Sequence, residues 1–149
     1  MRELHQDFHP PSTGEWTTLL AAPTVPAREL GRAELPDAPG VYLWQRDGRP
    51  VYVGMSASLR GRAWGKHLGG GVSLAGSSLR RNVCWLLFSI PPNITSGPAR
   101  QKVTAEQAAA IRDWLLGCDL SWLEVPSVTA ADELERRLRS EYLPDLNRV

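Results

Sequence analysis

The chain has 149 residues, a length suited to one domain that buries roughly 70% of the surface its unfolded form exposes, so a core forms without staples. Its two cysteines, Cys84 and Cys118, sit in apolar runs without metal-ligand spacing; this argues against a disulfide scaffold and predicts buried, reduced thiols. No apolar run approaches the ~20 residues that cross a bilayer, and the amino-terminal stretch lacks the apolar centre of a signal peptide. A soluble, cytoplasmic protein with no membrane partner is expected.

The net charge of +1 conceals a division along the chain. Residues 1–39 carry three basic and six acidic groups (−3), residues 40–102 carry nine basic groups against Asp47 alone (+8), and residues 103–149 carry five basic and nine acidic groups (−4). A middle third this basic suits a polyanion, although an ordinary solvated face has the same composition.

In chain order, residues 1–35 are rich in Pro, Thr and Ala and lack a sustained period, apart from the apolar patch EWTTLLAA. They are expected as an amino-terminal extension that packs on the domain or stays partly loose, the domain occupying 36–149. The runs GVYLW and PVYVG, joined through Asp47-Gly48, predict a β-hairpin. SASLRGRAWGKHL predicts a short basic helix capped by Ser56 or Ser58 and stopped by Gly69. GSSLRRNVCWLLFSI places Leu79, Val83, Leu86, Leu87 and Ile90 on one helical face, although VCWLLF reads equally as a buried strand. Thr104 with Gln107 forms a capping box for a helix reaching Leu116, ended by Gly117. DLSWLEV predicts a third strand, and Thr129 is expected to cap a last helix that Pro144 follows. The order defines a small α/β (α+β) domain: a three-stranded, mainly antiparallel sheet flanked by helices, with a long basic insert around 68–118.

The hairpin resembles the signature of the GIY-YIG nuclease family, with Gly40, Val41 and Tyr42 as its first half and Tyr52, Val53 and Gly54 as its second. Further along, Arg62 follows Tyr52 at the distance of the family's helical arginine, and ELERRLRSEYLPDLN resembles its last helix and exit through Glu135, Leu138, Pro144, Leu146 and Asn147. Two positions depart from the pattern. His67 follows Arg62 by five residues rather than one helical turn, and Met55 stands where excision-repair relatives have a lysine.

The resemblance implies a stand-alone catalytic domain, an endonuclease that hydrolyses nucleic-acid phosphodiesters, DNA in preference to RNA, with one divalent ion. It implies that one tyrosine polarises the attacking water and the other orients it or a phosphate oxygen, Tyr42 being taken here as the base and Tyr52 as the other, that Arg62 binds the phosphate, and that Asn147 completes the site. It also implies Glu135 as the metal ligand, since one carboxylate with substrate phosphate and water is a common way to hold Mg²⁺, or Mn²⁺ in its place. Arg60, Trp64, Lys66, His67, Arg80 and Arg81 are the candidate nucleic-acid contacts. Each has a plainer reading: Glu135 as an i,i+4 partner of Arg139, the tyrosines as half-buried strand residues, and Trp64 as core rather than a stacking platform. A catalytically silent binding module, or an adaptor, is the alternative function. Specificity would come from residues 68–102, the extension or a targeting protein partner.

Overall fold

Asp47 and Gly48 both take positive φ, 53° and 77°, as a type I′ turn requires, and they close the expected hairpin. In the computed structural model, which describes residues 14–148, strands β1 (Val25–Pro26), β2 (Gly40–Arg46), β3 (Arg49–Ser56) and β4 (Asp119–Glu124) form one sheet in the order β1-β4-β2-β3. Every pairing is antiparallel. The sheet therefore has four strands rather than three. The added one, β1, is two residues long and ends in proline, too short for any period to show; the Ala27 N–H bond to the Cys118 carbonyl (2.8 Å) anchors it.

The helices are α1 (Gly14–Ala21), α2 (Ser78–Phe88), α3 (Pro92–Thr95), α4 (Ala105–Leu116) and α5 (Val128–Glu141), with a π-helix over Arg60–His67. Alternation along β2 divides the core. Tyr42 and Trp44, with Tyr52 of β3, pack with the π-helix, α2 and α4, while Val41, Leu43 and Val53 face α1 and α5 through Trp16, Leu19 and Leu138. In α2 the helical period wins over the strand reading, because Leu79, Val83 and Leu86 share one buried face behind the Ser77 cap. The Thr104–Gln107 capping box is present in both directions. Helix α5 is capped by Ser127, whose Oγ accepts the Ala130 N–H (3.1 Å), and not by Thr129, which already lies inside the first turn. Cys84 and Cys118 are free, buried thiols, and burial raises both, Cys118 to about 11. Among the described residues no helix is long and apolar enough to cross a membrane.

The described part of the amino-terminal segment packs tightly; residues 1–13, including the stretch read for a signal peptide, lie outside the described residues. Trp16 and Leu19 are fully buried, the Trp16 indole donates to the Leu138 carbonyl (2.8 Å), and Glu15 pairs with Arg137 (2.7 Å). The core therefore extends into the segment before residue 36. A patch of five apolar residues in eight carries too little periodicity to announce that it packs on one face of the sheet. At the other end, the 3-10 turn Asp145–Asn147 docks on β3 through the Arg49–Asp145 ion pair (3.3 Å) and on α2 through Asn82 Nδ2 to the Leu146 carbonyl (2.7 Å).

Candidate active site

The hairpin register sets Tyr42 opposite Gly54. A Cβ on Gly54 would lie 2.5 Å from Tyr42 Oη and 2.6 Å from its Cζ, so the phenol ring crosses bare backbone that no other residue leaves free. The glycine of the second half-motif thus exists for the tyrosine of the first.

Tyr42 is 2% exposed, and its Oη lies 2.7 Å from His67 Nε2; His67 Nδ1 in turn lies 2.6 Å from Ser77 Oγ. Ser77 is the α2 cap and accepts the Arg80 N–H (3.1 Å). With Oγ accepting the Arg80 N–H, we assign the Ser77 hydroxyl as donor to His67 Nδ1. This assignment leaves Nδ1 bare and makes Nε2–H the donor to Tyr42 Oη. The imidazole is enclosed by the rings of Tyr42, Trp44 and Tyr52, at centroid distances of 5.4, 6.4 and 5.8 Å. Burial, and then the charges of Arg62, Arg80 and Arg81, lower its pKa to about 3, so it is neutral. His67, expected on a nucleic-acid surface, is instead an interior residue with no face to offer a strand. Its five-residue spacing from Arg62 is also accounted for. The wider turn of a π-helix, with i→i+5 bonding, brings His67 nearer in azimuth to Arg62 than an α-helix would, close enough for the Arg62 charge to act on it.

Tyr52 bonds Ser78 Oγ through its hydroxyl (2.6 Å), and its ring stacks at 6.4 Å from that of Tyr42. Burial raises both phenols, Tyr42 well above the ordinary value; neighbouring Glu135 raises both further, while Arg62 pulls both down. The resting site therefore holds two neutral phenols between a carboxylate and a guanidinium.

Strand β3 is the sheet edge, and its outward-facing backbone is served by two site residues. Asn147 accepts the Val53 N–H at Oδ1 (2.8 Å) and donates from Nδ2 to the Val53 carbonyl (2.9 Å). Two residues on, the Met55 backbone hydrogen-bonds Glu135, whose side chain is 18% exposed and whose Oε1 lies 3.3 Å from Arg139 Nη1. Burial raises the Glu135 pKa, against the Arg139 hydrogen bond. A divalent cation fits here: a partly desolvated carboxylate gains from a positive partner, and a single carboxylate suits an ion that also takes phosphate and water. Among the described residues there is no cluster of three or more metal-ligating side chains, so Glu135 would hold it without protein help.

Arg62 is exposed, and its guanidinium donates no hydrogen bond to any described residue, although its charge acts on Tyr42, Tyr52 and His67. It is free to take a phosphate. The remaining candidates divide. Lys66 is exposed and Trp64 half-buried against the larger core. Arg60 Nε donates to the Leu35 carbonyl (2.9 Å), Arg80 to those of Ser73 and Gly71, and Arg81 to those of Leu74 and Ala75. Sequence reasoning passed over Ser77 and Ser78. Their signal was a pair of hydroxyls at the start of an apolar period, where a cap is expected but a bond to the site is not.

Two phenols, a carboxylate and an unengaged guanidinium thus lie within electrostatic reach of one another at one end of the hairpin. The GIY-YIG catalytic-domain family matches residues 40–148, and the chain belongs to that family. Among solved structures it is similar to the amino-terminal GIY-YIG endonuclease domain of UvrC from Thermotoga maritima, bound to its catalytic divalent cation, magnesium: 22% identity, 78% of this chain and 90% of that chain covered, TM-score 0.40. An asparagine-to-alanine point mutant of that domain, bound to its catalytic divalent cation, is similar at 21% identity, with 75% and 84% covered and a TM-score of 0.40. No curated protein gives a significant match.

Proposed function

We propose that this protein hydrolyses nucleic-acid phosphodiesters in the presence of one Mg²⁺ or Mn²⁺ ion, acting on DNA before RNA. The observation that supports it is the convergence of Arg62, Glu135 and the Tyr42–His67–Ser77 chain beside the edge of β3. Arg62 presents a planar fork to the scissile phosphate and neutralises charge that builds on it. Tyr42 Oη takes the proton of the attacking water after its own phenolic proton has passed to solvent; the phenolate formed in between is the charge that His67 Nε2–H steadies, and Ser77 keeps the imidazole in the donating tautomer. Tyr52, held by Ser78, orients the water or a phosphate oxygen, and Asn147 fixes the strand that carries it. A divalent ion on Glu135 would supply the positive charge that the leaving oxygen requires.

The preference for DNA follows the family resemblance alone. A silent binding module is the second reading, and the Glu135–Arg139 pair favours it, because a carboxylate with a cationic partner needs no metal. Labelled DNA and RNA strands incubated with Mg²⁺, Mn²⁺ or chelator decide. Cleavage that needs the ion is expected; binding without cleavage in either ion would hand the case to the silent module.

A further inference from the structure

Beside the Tyr42 site lies an open cavity of about 310 Å³, between the end of the π-helix, the loop 69–76 and the start of α2. Its charged lining is Lys66 and Arg80, with the hydroxyls of Ser73 and Ser77 and no acidic residue. Arg80, which lines the cavity, is 4% exposed, and its buried Nε–H has no acceptor among the described residues. The rest of the lining is glycine: Gly65, Gly69, Gly71 and Gly76.

Neither backbone conformation nor packing requires those glycines. None of the four has positive φ. A Cβ on Gly65 or Gly71 would meet nothing within 4 Å, and on Gly69 or Gly76 it would meet only ordinary contacts at 3.4 Å or more. Gly65 even lies inside a helix, where glycine is unfavourable. What the four share is bare backbone around one cationic space, the condition for another molecule to come close.

We propose that this cavity binds a phosphodiester of the substrate strand adjacent to the one being cut. Lys66 supplies the charge, the glycines the clearance, and the amino-terminal end of the 11-residue α2 a favourable dipole. Ser77 lines the cavity and also bonds His67 Nδ1, so a strand seated there is in register with Tyr42. Burial already pulls Arg80 below its ordinary value, and an anion opposite it would offset that cost. The inference rests on the nuclease reading for its ligand.

The test is the double variant Gly65→Ala/Gly71→Ala, assayed by anisotropy with a fluorescein-labelled 12-nucleotide DNA, single-stranded and duplex, in chelator. A merely structural role predicts an unchanged or higher Tm with unchanged binding, since both methyl groups enter open space. The proposal predicts an unchanged or higher Tm with affinity reduced about tenfold, the scale of one lost phosphate contact. Lys66→Gln should flatten the salt dependence by about one counterion, whereas Arg28→Gln, an equal charge change on an exposed turn elsewhere, should not. Wild-type affinity in the folded double variant overturns the proposal. So does a cavity that takes inorganic phosphate, seen as thermal stabilisation lost in the double variant, while oligonucleotide affinity is unaffected. Cleavage by the wild-type protein is scored separately. Wild-type protein that cleaves while the double variant binds normally sinks the subsite alone; wild-type protein that binds but never cleaves, with binding lost in the double variant, sinks only the nuclease reading.

Discussion

Replacing His67 with glutamine should remove a specific acid sensitivity from the fold. His67 titrates at about 3 in the folded chain against about 6.5 when unfolded. A folded value depressed in this way means that the unfolded chain takes up the proton first. Stability from the neutral imidazole is fully present above pH 6.5 and is lost as pH falls toward 3. At 1.36 kcal/mol per pH unit the whole gap is worth about 5 kcal/mol, of which about 2 kcal/mol falls between pH 7 and pH 5. Glu135, raised by burial, acts in the opposite direction, and His5 and His9 lie outside the described residues; both contributions are common to the two proteins and cancel in the comparison. Glutamine retains a donor and an acceptor for Tyr42 and Ser77 but does not titrate. Urea unfolding followed by tryptophan fluorescence at pH 7 and pH 5 should show wild type losing about 2 kcal/mol more than His67→Gln. Parallel losses would refute a buried, neutral His67, and with it the hydrogen-bonded chain to Tyr42.

Trp16→Ala should cost about 3–5 kcal/mol by thermal melting, because it empties a fully buried site and removes the indole hydrogen bond to the Leu138 carbonyl; a change under 1 kcal/mol would return residues 14–22 to the status of a loose extension. Tyr42→Phe should slow cleavage about 10²- to 10⁴-fold with binding kept, and Tyr52→Phe should lose less; the reverse ranking would exchange their roles. Gly54→Ala should destabilise by about 1–3 kcal/mol, since the new methyl displaces the Tyr42 ring, and should depress cleavage as well. Normal stability and rate in that variant would mean that the ring position is immaterial.

The legible parts of this chain were those whose cause is local. Asp47-Gly48 dictates its own turn, Thr104 and Gln107 cap each other within one turn, and the spacing of Tyr42, Tyr52, Arg62, Glu135 and Asn147 survives translation into a structure that gathers them at one edge. The illegible parts depend on partners distant in sequence. Two residues become β1 only because β4 offers them a free edge, and Trp16 becomes core only because Leu138, 122 residues away, accepts its indole proton. His67 looked misplaced because the spacing was read on an α-helix, and nothing local distinguishes a π-helix. Charge was the least informative guide. Arg46, Arg60, Arg80 and Arg81 count toward the +8 of residues 40–102, yet each donates to backbone carbonyls of its own domain, as Lys66 and Arg62 do not.

The account stands on Glu135 being a metal ligand rather than half of a surface ion pair, and three variants separate the two. If the pair with Arg139 were its purpose, Glu135→Ala and Arg139→Ala would behave alike, each losing the ~0.3–0.5 kcal/mol of an exposed i,i+4 pair and little else. As a ligand at a phosphate-binding site, Glu135 should be indispensable for turnover, while its removal relieves repulsion and leaves affinity without metal equal or higher. Mg²⁺-dependent cleavage of a labelled strand is therefore predicted to vanish in Glu135→Ala, with binding intact, and to persist in Arg139→Ala and in Glu133→Ala on the exposed part of the same helix. Cleavage at the wild-type rate by Glu135→Ala would contradict the account.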